Sequence, residues 1–135
     1  MIDCLIMGDS IAQGIAENKP ECHRMTRIGI SSASFNDAFL YKIGQVVSDT
    51  VLISLGSNDG SYTHTYDRIK IIRHKVIGKK VFWVLPLNNE SARIDIMKVA
   101  KEFGDLVIDA KNYTISPDGI HPNSVGYRKI AEQMK

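Results

Sequence analysis

Five short apolar, β-branched segments recur along the chain, at 2–7, 24–30, 51–55, 81–87 and 106–110, and each is followed by a stretch with helical spacing. That alternation constrains the fold more than any other feature. A strand, a helix and another strand in strict succession demand a crossover connection, and such crossovers build parallel sheets with helices packed on both faces. The segments at 51–55 and 81–87 are nearly continuous apolar runs, as strands covered on both sides should be. The expected architecture is a three-layer α/β/α, doubly wound domain of about five parallel strands, occupying 1–135 as a single unit.

The intervening helices are expected at 10–17, 34–43, 65–77, 92–103 and 124–134. In the third, Ile69, Ile72 and Val76 recur at helical spacing and predict one buried stripe. In the fourth, Ile94, Met97 and Ala100–Lys101 predict a similar face, and Gly104 is placed to stop the helix. The longest irregular stretch is 111–122.

Composition narrows the classes of function. A length of 135 residues with 44% hydrophobic and 24% charged content suits one globular domain with its own core. A net charge of +2 gives no argument for nucleic acid or an anionic membrane, and no apolar stretch approaches a membrane span. Lys79–Lys80 and the group Arg68, Lys70, Arg73 and Lys75 read as solvated basic surface. The start of the chain carries no basic leader or cleavage site, so the expectation is a cytoplasmic protein, or one released without a signal peptide. Cys4 and Cys22 lack metal-type spacing and are expected as free thiols. The four histidines, His23, His64, His74 and His121, show no metal-binding spacing, and zinc is not expected.

Chemistry concentrates at three places. Gly8-Asp9-Ser10 closes the first strand, Gly56-Ser57-Asn58-Asp59 follows the third, and Asp118-Gly119-Ile120-His121-Pro122-Asn123 lies beyond the fifth. A serine needs a general base before it can act as a nucleophile, and a histidine base needs an acidic partner to fix its tautomer. Each string also has an ordinary reading: Ser10 as a helix cap, Asn58 and Asp118 as turn formers. What favours chemistry is convergence. In parallel sheets of this kind, ligands bind outside the carboxyl ends of the strands, and Ser10, Gly29, Asn58 and His121 all fall at that edge. A loop of ten residues is long enough to bring His121 back across neighbouring strands.

Taken together, Gly8-Asp9-Ser10 with Gly14, the isolated Gly29 after the second strand, Gly56-x-Asn58-Asp59 and Asp118-x-x-His121-Pro122-Asn123 resemble the SGNH (GDSL-type) hydrolases. Gly126-Tyr127 and Ile130-Ala131 resemble that family's closing helix, so the likeness spans essentially the whole chain. The resemblance implies a flavodoxin-like sheet and ester hydrolysis through an acyl-enzyme. It implies Ser10 as nucleophile, His121 as base and Asp118 as the residue orienting it. It also implies an oxyanion hole formed by the N–H groups of Ser10 and Gly29 and the Asn58 side chain. Asp9 and Asp59 would hold the two turns, and no metal or organic cofactor is implied. Gly29 has the least local signature, and Ser31 is the neighbouring alternative.

The chain is short for that family, and short loops leave an open site suited to a small acyl group. The expected substrate is therefore a short-chain ester, above all O-acetyl, on an alcohol such as a sugar. Two alternatives stand beside it: a lysophospholipase or thioesterase acting on longer acyl chains, and a non-catalytic binding domain retaining the fold. The chain contains no G-x-G-x-x-G or P-loop string to support a nucleotide-binding reading. Oligomeric state is not legible in the sequence.

Overall fold

A computed structural model of the chain describes residues 2–134. The elements run β1 (Ile2–Gly8), α1 (Ser10–Glu17), β2 (His23–Thr26), α2 (Ser32–Ile43), β3 (Val47–Ser54), α3 (Thr65–Lys75), β4 (Ile77–Leu85), α4 (Glu90–Phe103), β5 (Leu106–Asp109) and α5 (Ser124–Glu132). The strands form one five-stranded sheet in the order β2-β1-β3-β4-β5, every pairing parallel. This is the expected three-layer, flavodoxin-like arrangement, with its switch in strand order between β1 and β3.

The sheet alternates its side chains between two cores. From β1, Leu5 and Met7 join Phe35, Ile69, Ile72, Ile96 and Val99 beneath α2, α3 and α4. Ile6 turns the other way, with Ile11, Ile15 and Ile130 beneath α1 and α5. That period of two is what lets helices cover both faces. The register aligns the strand ends: Gly8 pairs with Thr26 on one side and Ser54 on the other. The turn after β1 therefore emerges between the ends of β2 and β3.

Several expectations need correcting. β2 ends at Thr26, so Gly29 sits in the turn beyond the strand. β3 and β4 begin about four residues earlier than their apolar runs, because parallel pairing with neighbours recruits polar stretches such as 48–50 and 78–80. In α4 the buried face is Ala92, Arg93, Ile96, Val99 and Ala100, while Ile94 and Met97 are exposed. The helix carries apolar residues on two faces, and the sheet selects the stripe that includes Arg93. Its guanidinium is tolerated there because it pairs with Asp109 at 2.8 and 2.7 Å and donates to the Pro86 carbonyl at 3.2 Å.

The cysteines are the clearest correction. Cys4 and Cys22 are not free thiols but form a disulfide, with Cα atoms 4.8 Å apart. Cys4 lies in β1 and Cys22 immediately precedes β2, so the return from α1 brings them together across adjacent strands. The separation of 18 residues carries no spacing signature that would announce this.

Part of the basic group is paired rather than merely solvated. Arg73 forms a bidentate contact with Asp105, which also accepts from Trp83 Nε1, and Lys70 pairs with Glu102.

Candidate active site

Ser10 is the first residue of α1, and its position is set from beneath. Gly8 has φ +137°, and a Cβ there would lie 1.8 Å from the Ser54 carbonyl oxygen. Only glycine lets β1 and β3 approach this closely while the chain turns. Asp9, fully buried, caps α1: its Oδ1 accepts from the N–H groups of Ile11 and Ala12, at 3.0 and 3.4 Å, and from Ser54 Oγ at 3.2 Å. Burial pushes its carboxyl up from 3.8 to about 6 despite those hydrogen bonds. The Asp9 backbone N–H donates to the Ser54 carbonyl at 3.0 Å.

His121 arrives by a different route. After β5 the chain makes a short 3₁₀ turn at Ala110–Asn112 and then folds back on itself, with Ile115 bridging to Pro122. Ser116 N–H donates to the His121 carbonyl at 2.8 Å, and Asn123 N–H to that of Thr114 at 3.0 Å. Asp118 sits at the tip. Its Oδ1 accepts from the Ile120 and His121 N–H groups at 2.8 and 3.0 Å, and its Oδ2 lies 2.7 Å from His121 Nδ1. Those backbone donors, with the imidazole, hold the Asp118 carboxyl down at about 2.

The two routes meet. Ser10 Oγ lies 2.9 Å from His121 Nε2. With a carboxylate at Nδ1, the neutral imidazole keeps its proton there and leaves Nε2 free to accept from the serine hydroxyl. Such a chain can move a proton from hydroxyl to imidazole and support the cation that results. The structure thus brings Ser10, His121 and Asp118 together. His121 and Asp118 side chains are 36% and 46% exposed, so the arrangement opens to solvent rather than into a tunnel.

Gly29 and Asn58 lie on adjoining loops. Gly29 has φ +78° in an exposed turn, and its N–H has no hydrogen-bond partner among the described residues. Asn58 Nδ2 donates one hydrogen to the Ile30 carbonyl at 3.2 Å, which orients the amide and leaves its second hydrogen unassigned. The Ser10 N–H, at the first position of α1, has no acceptor within its helix. Asp59 ties the loops: its Oδ1 accepts from Ser32 N–H at 2.8 Å and its Oδ2 from Thr65 Oγ1 at 2.7 Å.

Ser54 and Asn89 support the site without standing out in the sequence, and Tyr127, expected only as part of a closing helix, supports it too. Asn89 caps α4 and donates to the carbonyls of Gly56 and Asp59, at 2.8 and 3.0 Å. An asparagine directly before a helical pattern was a legible cap signal; its second role was not. Tyr127 of α5 lies over Gly14 of α1, where a Cβ would come within 2.5 Å of its ring. Gly14 thus lets the Ser10 helix pack against the helix that follows His121. Burial, with Asp9, Asp118 and Glu17 nearby, pushes the Tyr127 phenol up to about 12.

No family model matches the sequence, and no curated protein matches it significantly. Solved structures do share its fold. A carbohydrate acetylesterase family member from Sinorhizobium meliloti superposes with a TM-score of 0.72 at 14% identity, over 98% of this chain and 94% of that one. A GDSL-like lipase from Bacteroides thetaiotaomicron gives 0.69 at 19% identity, over 96% and 84%. An acetylxylan esterase from Geobacillus stearothermophilus gives 0.68 at 15%, over 97% and 91%. The chain has the fold of the SGNH hydrolases.

Proposed function

We propose that the chain is a serine esterase that removes short acyl groups, above all O-acetyl, from a carbohydrate. The observation that carries this reading is the hydrogen-bonded series Ser10 Oγ, His121 Nε2, His121 Nδ1, Asp118 Oδ2 at the carboxyl edge of the sheet. Ser10 Oγ attacks the ester carbonyl as its proton passes to His121, and Asp118 stabilises the resulting imidazolium. The tetrahedral oxyanion is met by the Ser10 and Gly29 N–H groups and the second hydrogen of Asn58 Nδ2. Collapse expels the alcohol with the proton from His121, leaving an acyl group on Ser10. Water, deprotonated by the same imidazole, then releases the acid.

The acetyl and sugar parts draw support from two fold neighbours, one called a carbohydrate acetylesterase family member and the other an acetylxylan esterase. The openness around His121 and Asp118 also favours a small acyl group over a long chain. The Cys4–Cys22 disulfide supports work in an oxidising compartment rather than the cytoplasm.

The test compares the wild-type chain with Ser10→Ala on p-nitrophenyl esters from acetate to long chain and on acetylated saccharides. Expected is activity confined to short esters and acetylated sugars, with a loss of at least about 10⁴-fold in Ser10→Ala. A long-chain optimum, or full activity in the variant, contradicts the reading.

A further inference from the structure

We propose that Ile28 and Tyr62 form an apolar face against which the alcohol part of the substrate, a sugar ring, rests. This builds on the esterase reading and assigns its specificity. Among the described residues, the two most exposed large apolar side chains are Tyr62 at 92% and Ile28 at 69%. Both sit on the two loops that carry Asn58 and Gly29. Ile28 directly precedes Gly29, and Tyr62 follows Asn58 by four residues.

Scattered apolar side chains on a surface need no explanation. The loops that bear these two are tied to one another. Asn58 Nδ2 reaches the Ile30 carbonyl at 3.2 Å, and Asp59 Oδ1 accepts from Ser32 N–H at 2.8 Å.

The loop bearing Tyr62 is also built to be rigid. Its tip is a closed turn, with Gly60 N–H donating to Thr63 Oγ1 and Thr63 N–H to the Gly60 carbonyl, both at 3.1 Å. Asn89 grips its base through the Asp59 carbonyl at 3.0 Å. Just past the tip, His64 has φ +56°, the one positive φ of a non-glycine residue among those described. That conformation is strained and persists only where surrounding bonds over-determine the backbone. The backbone that carries Tyr62 is thus fastened, while its ring stands in water.

The chemistry that satisfies such a ring is one with an apolar face and a polar perimeter. A pyranose fits: its C–H face covers an aromatic or branched aliphatic side chain while its hydroxyls stay hydrated. An alkyl chain would instead need enclosure, which this open rim does not give.

The experiment measures kcat/KM for an acetylated xylo-oligosaccharide and for methyl acetate, which has no ring to stack, in the wild-type chain, Tyr62→Ala, Tyr62→Phe and Ile28→Ser. The ratio of the two constants should fall roughly tenfold in Tyr62→Ala and less in Ile28→Ser. It should be retained in Tyr62→Phe, because the ring and not the hydroxyl makes the contact. Thermal unfolding of each variant confirms that the fold is kept. A ratio unchanged in Tyr62→Ala overturns the proposal while leaving the esterase reading intact. A wild-type chain that hydrolyses neither ester overturns both.

Discussion

The two halves of the candidate site are held by opposite means. Ser10 rides on Gly8 and Asp9, which are buried at the junction of β1 and β3 and fastened to Ser54. His121 rides on an exposed turn whose carboxylate, Asp118, is bonded chiefly to that same turn. One half is positioned by the core and the other by local polar bonds at the surface. Damage to the first should cost the fold, whereas damage to the second should cost chemistry alone.

The sharpest way to break that contrast is Gly8→Ala. Its Cβ would lie 1.8 Å from the Ser54 carbonyl oxygen, at a φ that side chains rarely adopt. The expected loss exceeds about 4 kcal/mol, enough to leave little folded protein, as read by soluble yield and urea unfolding. Near wild-type stability would show that the turn is not tied to the sheet as described.

Asp118→Asn should act on the other half. Asparagine keeps an acceptor for the Ile120 and His121 N–H groups but loses the charge that supports the imidazolium. Activity should fall in kcat by roughly 10³–10⁴-fold. The thermal unfolding midpoint at neutral pH should fall only slightly, because water screens the exposed carboxylate and the amide still accepts from the turn. Activity close to wild type would remove Asp118 from the set and leave a Ser10–His121 pair.

The smallest effect sharpens the contrast through pH. Asp9 binds its proton more tightly folded, at about 6, than unfolded, at 3.8, because burial disfavours its charge. Between those values the native state holds more protons, so this group's contribution to stability falls as pH rises through the window and is flat above it. The total is about 3 kcal/mol. Asp118 has the opposite sign: held at about 2, it contributes stability above 3.8 that is lost only as pH falls toward 2. Urea titrations of the wild-type chain against Asp9→Asn should show a difference that drifts between pH 4 and 6. A constant difference would mean the carboxyl is not paying a desolvation penalty.

Much of this was readable beforehand, and unevenly. The β–α alternation announced the sheet, and α1 falls at 10–17 as expected, because Asp9 is a strong cap and the apolar spacing after it fits one face. Ser10, His121 and Asp118 stand out in the sequence because their residue types complement one another, and the fold brings them within hydrogen-bonding distance. What stayed hidden depends on tertiary choice. The buried face of α4 includes Arg93, which makes sense only once Asp109 lies opposite. Ser54 became visible only when β3 was placed beside β1. Cys4 and Cys22 needed the same knowledge of neighbouring strands.

That disulfide has a thermodynamic consequence beyond the contacts of the folded molecule. β2 is an edge strand of only four residues, paired with a single neighbour, and its ladder to β1 is short. The covalent link leaves that ladder unchanged but restricts the unfolded chain, closing a ring across 18 residues of sequence separation. Loop-closure entropy puts the gain at about 3 kcal/mol. The ring encloses α1 and with it Ser10. Even a chain that has lost its packing would keep β1, the serine turn and the start of β2 within one tether, ready to re-form together.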